Sequence, residues 1–134
     1  RSVLCYLLDA YTEEKSMDAK GQEKTRVVLK LHPRFSPFKA AILPLVKKDG
    51  QPELARSLCK KFRGRGISVS YDENQSIGKR YAKHDEIGTP YCITIDSDSL
   101  SDEMVTVRDR DTTKQQRVPM SEAVSIVEKR IHDL

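Results

Sequence analysis

Two rhythms alternate along this chain. Some stretches place apolar residues at helical spacing and others at every second position, and their order predicts an α/β fold. Val3, Leu4, Leu7, Leu8 and Tyr11 fall at helical spacing, so residues 1–14 read as an amphipathic helix. Residues 15–25, KSMDAKGQEKT, are polar, contain Gly21 and read as a flexible connector. In RVVLKLH, residues 26–32, Val27, Leu29 and Leu31 alternate with Val28, Lys30 and His32, the pattern of a strand with one buried face. Pro33 and Pro37 then impose an extended stretch.

The rhythm changes at Lys39. AAILPLV is a nearly continuous apolar run, as in a strand buried on both faces, and Pro44 limits its paired part to 39–43. After the turn KKDGQ, Pro52 suits the first turn of a helix. Leu54, Ala55, Leu58, Cys59 and Phe62 give that helix an apolar stripe, which ends at Gly64 or Gly66. ISVSY, residues 67–71, alternates as a strand. Ser76 is a suitable N-cap for a helix over 77–87, and Pro90 to Asp96 make a third buried strand. Ser97 to Asp102 read as a polar turn. MVTVRDR and QQRVPM are strands joined through TTK as a hairpin. Ser121 caps a last helix, with Ala123, Val124, Val127 and Ile131 facing inward. Strands separated by helices pair in parallel through right-handed crossovers, and the late hairpin adds antiparallel strands at the edge. The sum is a five-stranded mixed sheet, three parallel strands plus an antiparallel hairpin, flanked by three helices.

Composition narrows the class. A chain of 134 residues fits one domain, large enough to fold without a disulfide or a metal. Charged residues make up 33% of it and the net charge is +4, which suits an anionic partner. Cys5, Cys59 and Cys92 form no CxxC or His/Cys cluster, so no metal site is predicted. Cys59 and Cys92 read as small core residues of a reducing compartment, the cytoplasm. No run approaches the ~18 apolar residues of a membrane span. The chain begins with Arg1 rather than Met and has no signal-peptide cleavage pattern, so a piece of a longer protein is expected.

Ligands of open α/β sheets bind beyond the carboxyl ends of the parallel strands, and those ends deliver Asp72, Glu73, Asn74 and Asp96. The triplet is either a solvated loop or a set of hydrogen-bonding groups aimed at base edges. On the 77–87 helix Lys79, Lys83 and Glu86 share one flank, while Arg80 and His84 share another. That surface is either solvated, with weak ion pairs and a solvated His84, or it offers Arg80 as a fork for a phosphate or a guanine edge. Arg108 and Arg110 face one side of their strand and Asp109 and Asp111 the other, a charged edge that also discourages aggregation. Arg56, Lys60, Lys61, Arg63 and Arg65 run without an acid among them, as a solvated helix face or an attraction for a nucleic-acid backbone. No GxSxG, HExxH, P-loop or GxGxxG pattern is present, which disfavours a stand-alone enzyme.

SIGKRYAKHDEIGTPYCITID, followed by VTVRDRDTTKQQRVP, resembles the C-terminal anticodon-binding domain of glycyl-tRNA synthetases of the homodimeric class II type. VVLKLHPRFSPFKAAILPLVKKDG is similar to the entry into that domain, so the likeness covers about residues 26–130. It implies an anticodon-binding domain over 26–134. Residues 1–25 would then be a remnant of the catalytic domain, its last-motif helix plus a linker, with Arg1 matching an ATP-contacting arginine. It further implies a homodimeric parent enzyme that attaches glycine to tRNA(Gly) with ATP and Mg2+, while this segment carries no catalytic residue, metal or cofactor. The implied partner is the anticodon stem-loop, read at two cytosines by Glu73, Asn74, Lys79, Arg80, Arg108 and Arg110, with Asp85 and Glu86 in the same motif. On this reading Arg108→Ala weakens stem-loop binding with little loss of stability. Two alternatives stay open. A synthetase-like protein-interaction module, such as a polymerase accessory subunit, would show scattered basic residues and an exposed apolar patch. A small enzyme at Asp72–Asn74 would need a nucleophile the loop does not offer.

Overall fold

The computed structural model describes residues 1–17, 21–48 and 50–132. The first element, α1 (Ser2–Ala10), gives way directly to β1 (Tyr11–Met17), which pairs antiparallel with β2 (Glu23–Leu29) from Tyr11↔Leu29 to Met17↔Glu23. The helix expected over 1–14 therefore stops at Ala10, and both strands run into the expected connector, of which residues 18–20 lie outside the described residues. Helical spacing counts only apolar positions. Tyr11 and Thr12 favour extended backbone, and the partner strand decides: Glu14 meets Arg26 and Lys30, each at 2.6 Å. The strand expected over 26–32 accordingly begins earlier and ends at Leu29. Pro33–Phe35 form a 3₁₀ turn rather than an extended stretch, with His32 Nδ1 accepting from the Arg34 amide at 3.2 Å. The fixed φ of proline suits a first helical position.

Then follow β3 (Ala40–Pro44), α2 (Gln51–Gly64), β4 (Val69–Tyr71), α3 (Ile77–Ile87), β5 (Tyr91–Ile95), α4 (Ser99–Asp102), β6 (Met104–Asp109), β7 (Gln115–Pro119) and α5 (Met120–His132). Strands β4-β3-β5-β6-β7 form one sheet in that order. β3 is parallel to β4 and β5, while β6 and β7 are antiparallel, as the order of elements predicts. Pro44 stays in the strand, opposite Ile95, because the next amide, Leu45, supplies the bond to the Ile95 carbonyl at 2.8 Å. The expected turn at 97–102 contains the single helical turn α4, closed by Asp96 Oδ1 accepting from the Ser99 amide at 3.0 Å. The last helix starts at Met120, one residue before the expected cap, with the Met120 amide donating to the Glu103 carbonyl.

Alternation along the strands divides the core. Ala40, Ile42, Ile93, Ile95, Val105 and Val107 share a cluster with Leu58 and Phe62 of α2 and with Val124 and Val127 of α5. Ala41, Leu43 and Cys92 lie on the other face under Ile77 and Tyr81 of α3. Both faces are covered, which is why β3 and β5 read as unbroken apolar runs. Cys59 and Cys92 are buried, as their apolar neighbours predict, whereas Cys5 is exposed.

Candidate nucleic-acid interface

Because β3, β4 and β5 are parallel and in register, their carboxyl ends emerge side by side. They feed three loops into one rim: Leu45–Lys48, Asp72–Gln75 and the residues after Ile95. Arg80 of α3 lies beneath that rim, with 1% of its surface exposed. Its Nη1 donates to the carbonyls of Pro44 at 2.6 Å and Asp72 at 2.9 Å, and its Nη2 to that of Leu45 at 3.3 Å. One planar guanidinium thus ties the end of β3 to the end of β4.

The loop after β4 is held from within. Asp72 accepts from the Asn74 amide at 3.0 Å and from Lys83 Nζ at 3.2 Å. Burial pushes the Asp72 carboxyl up, but those two donors outweigh it and hold it below the usual carboxylate range. Glu73 accepts from the Tyr71 hydroxyl at 2.7 Å, and burial together with that carboxylate pushes the Tyr71 phenol up to about 12. Asn74 is exposed, and its Oδ1 accepts from Lys47 Nζ at 2.9 Å. Lys79 is exposed, and its ammonium has no partner among the described residues. Leu45 and Val46 stand beside these groups, 42% and 38% exposed. At the third strand end, Asp96 accepts from Ser99 and from Arg117 Nη1 at 3.1 Å. Donors, acceptors and a small apolar surface therefore share one edge.

The other predicted residues gather elsewhere. Asp85, 2% exposed, receives Arg108 Nη1 at 3.0 Å, Arg108 Nη2 at 3.2 Å and Arg26 Nε at 3.0 Å. Arg26 continues to Glu14 and to the Arg110 carbonyl. The Arg108 guanidinium also sits 4.8 Å from the centroid of the Tyr81 ring. Arg110, 3% exposed, donates to the Gly88 carbonyl at 2.9 Å and the Leu31 carbonyl at 2.7 Å. Arg108 and Arg110 do share a side, as alternation predicts, but it is covered by α3 and the β1–β2 hairpin. β6 is not an edge strand, because β7 pairs along its outer side. The expected open basic face is thus an internal charged network. Glu86 is exposed and faces the groove shared with Thr25 and Val27.

The structure brings Glu73, Asn74, Lys79 and Arg80 to the rim, and Asp85, Arg108 and Arg110 to the junction of α3, β2 and β6. His84, expected in solvent, is fully buried, with Nδ1 3.2 Å from the Thr89 hydroxyl and Nε2 without a partner among the described residues. Burial, and then the nearby Lys83 charge, hold its imidazole below the ordinary range. Arg1 is exposed and makes no side-chain cap bond at the start of α1. Sequence reasoning missed Leu45, Val46 and Lys47, although the strand-end rule that found Asp72 applies equally to the end of β3. Among the described residues no group of His, Cys, Asp and Glu is placed to hold a metal ion.

A mixed sheet covered by helices on both faces, with polar loops at the ends of its parallel strands, defines an open-sheet α/β module. Residues 39–130 match the family model of the anticodon binding domain, and the chain belongs to that family. It is 48% identical over 131 residues to a glycine–tRNA ligase of Rhodopirellula baltica, covering 98% of this chain and 24% of the relative. It is 53% identical over 133 residues to one of Alkaliphilus metalliredigens, covering 98% and 27%. The chain spans about a quarter of the length of the curated relatives it matches. Among solved structures, prolyl-tRNA synthetase of Cryptosporidium parvum superposes with a TM-score of 0.73 at 18% identity, over 89% of this chain and 30% of that one, a likeness of fold.

Proposed function

We propose that this chain is the anticodon-reading part of a longer glycine–tRNA ligase and grips the anticodon stem-loop of tRNA(Gly) on its rim. One observation carries the reading. Glu73 and Asn74 stand on the loop after β4 and exposed Leu45 and Val46 on the loop after β3, Arg80 clamps those two loops together, and exposed Lys79 precedes it on α3. Carboxylate oxygens accept from the exocyclic amine of cytosine, an amide both donates and accepts, and apolar side chains take the face of a splayed base. Arg80, Asp85, Arg108 and Arg110 then act by position, since their groups are already engaged inside the protein, and Glu86 takes no base.

In this reading ATP and Mg2+ belong to the rest of the longer protein. Arg1 would meet ATP only there. The same remainder supplies the homodimer contact, and the enzyme works in the cytoplasm. The β1–β2 hairpin, which crosses the boundary expected at residue 25, becomes the seam between the RNA-binding unit and that remainder. Val3, Leu4, Leu8 and Phe35 are the exposed apolar residues that pack across the seam. Their position ahead of the matched span 39–130 favours this over a free-standing protein-interaction module.

The test is a titration with a stem-loop whose anticodon ends in CC, and with one in which both cytosines are changed. Tighter binding to the first is expected, and Asn74→Ala should narrow the gap by about tenfold, since a good base contact contributes about 1–3 kcal/mol of discrimination. Equal binding to both loops rejects base reading.

A further inference from the structure

The exposed side of α2 carries cations that the rim does not use. Arg56, Lys60 and Arg63 stand at i, i+4 and i+7 and so form one stripe. All three are exposed, and none makes a hydrogen bond or an ion pair among the described residues. Several other surface cations are matched: Arg65 with Glu128 at 3.0 Å, Lys83 with Asp72 at 3.2 Å, and Arg117 with Asp96 and Asp102. Glu53, the one carboxylate of α2, makes no ion pair with the stripe among the described residues. Like charges at this spacing disfavour the helix that bears them.

Its place is specific. α2 begins directly after the rim loop Leu45–Lys48, and the Arg56 guanidinium lies 5.5 Å from the ring centroid of Tyr71, the last residue of β4. A groove of about 330 Å³ runs between Arg56, Lys60, Arg63 and Tyr71. From Arg56 to Arg63 the helix advances about 10 Å, leading away from the rim. We propose that Arg56, Lys60 and Arg63 seat the sugar–phosphate backbone of the RNA strand that leaves the loop held on the rim. The proposal rests on the RNA reading above and separates two tasks: groups on the rim specify, and the stripe positions.

Titration of the 134-residue chain with both stem-loops over a series of salt concentrations tests it. In the triple variant Arg56→Gln, Lys60→Gln, Arg63→Gln, the plot of log affinity against log salt should become shallower by about 2–3, because each lost phosphate contact removes about 0.7–0.9 from the slope. Affinity for both loops should fall by the same factor and the ratio between them should stay. The melting temperature should also stay, and Arg65→Gln should leave the slope unchanged. An unchanged slope in the triple variant overturns the stripe, even where the parent chain still prefers CC. A shallower slope with no preference between loops supports the stripe and rejects base reading instead. A parent chain that binds neither loop, or that binds polyaspartate more tightly than either, overturns the stripe by removing RNA as its partner.

Discussion

Arg80 touches almost no water, yet it carries a full charge and bonds to three carbonyls from the ends of two strands. Hydrogen bonds to charged groups contribute about 1.5–3 kcal/mol each, so Arg80→Ala should cost the fold about 3 kcal/mol or more. Arg108→Ala strips Asp85 of a two-pronged partner and leaves a buried carboxylate with Arg26 alone, a loss of about 3–5 kcal/mol. Urea unfolding of the two variants measures both. This reverses the stability expected from sequence for Arg108→Ala, and an unchanged urea midpoint would restore the solvent-facing view. The identities of these residues were legible in the chain, but their burial was not. Arg80 sits in a charged run, KRYAKHDE, and only the fold brings Pro44, 36 residues away, within its reach. Arg108 and Asp85 are likewise 23 residues apart, and no local spacing records their meeting.

At the scale of elements, α3 is the part most completely written in the sequence. Ser76 accepts from the Lys79 amide at the start, and Gly88 closes the end with φ +83°. Gly88 also lets β2 come close, because a Cβ there would lie 2.8 Å from Leu31 Cδ1 and 3.1 Å from the Leu29 carbonyl. Gly88→Ala therefore meets both a strained backbone and a packed neighbour. It should destabilise the chain by about 1–3 kcal/mol in chemical denaturation. A silent variant would show that the Leu29–Leu31 segment yields freely. Of the β1–β2 hairpin only the end of β2 was legible, from the alternation that begins at Arg26. The first strand, YTEEKSM, is polar, and it is fixed by pairing with β2 and by the Glu14, Arg26 and Asp85 charges rather than by an apolar rhythm.

For the molecule as a whole, strand directions and the loop-bearing end of the sheet followed from the succession of strands and helices, whereas the order of the parallel strands and the choice of side chains that reach the rim depended on three-dimensional packing. Its acid response should come in two stages. Folded His84 binds a proton less readily than the unfolded chain does, so stability is full above the ordinary imidazole pKa of about 6.5 and declines as pH falls below it. Asp72 and Asp96 are held below the ordinary carboxylate value, Asp96 because Arg117 and Ser99 outweigh the upward push of burial. Their contribution is full above about pH 4 and is lost only as pH drops further. Thermal melts between pH 8 and 3 record both stages, and His84→Gln should abolish the first. A first stage that survives this change would assign it to another group. The burial that closes Cys59, and that pushes the Cys92 thiol up to about 12, leaves Cys5 on α1 as the accessible sulfur. A maleimide dye therefore finds a single address on this chain, on a helix that supplies nothing to the rim, and RNA arrival can be followed by fluorescence without engineering a cysteine.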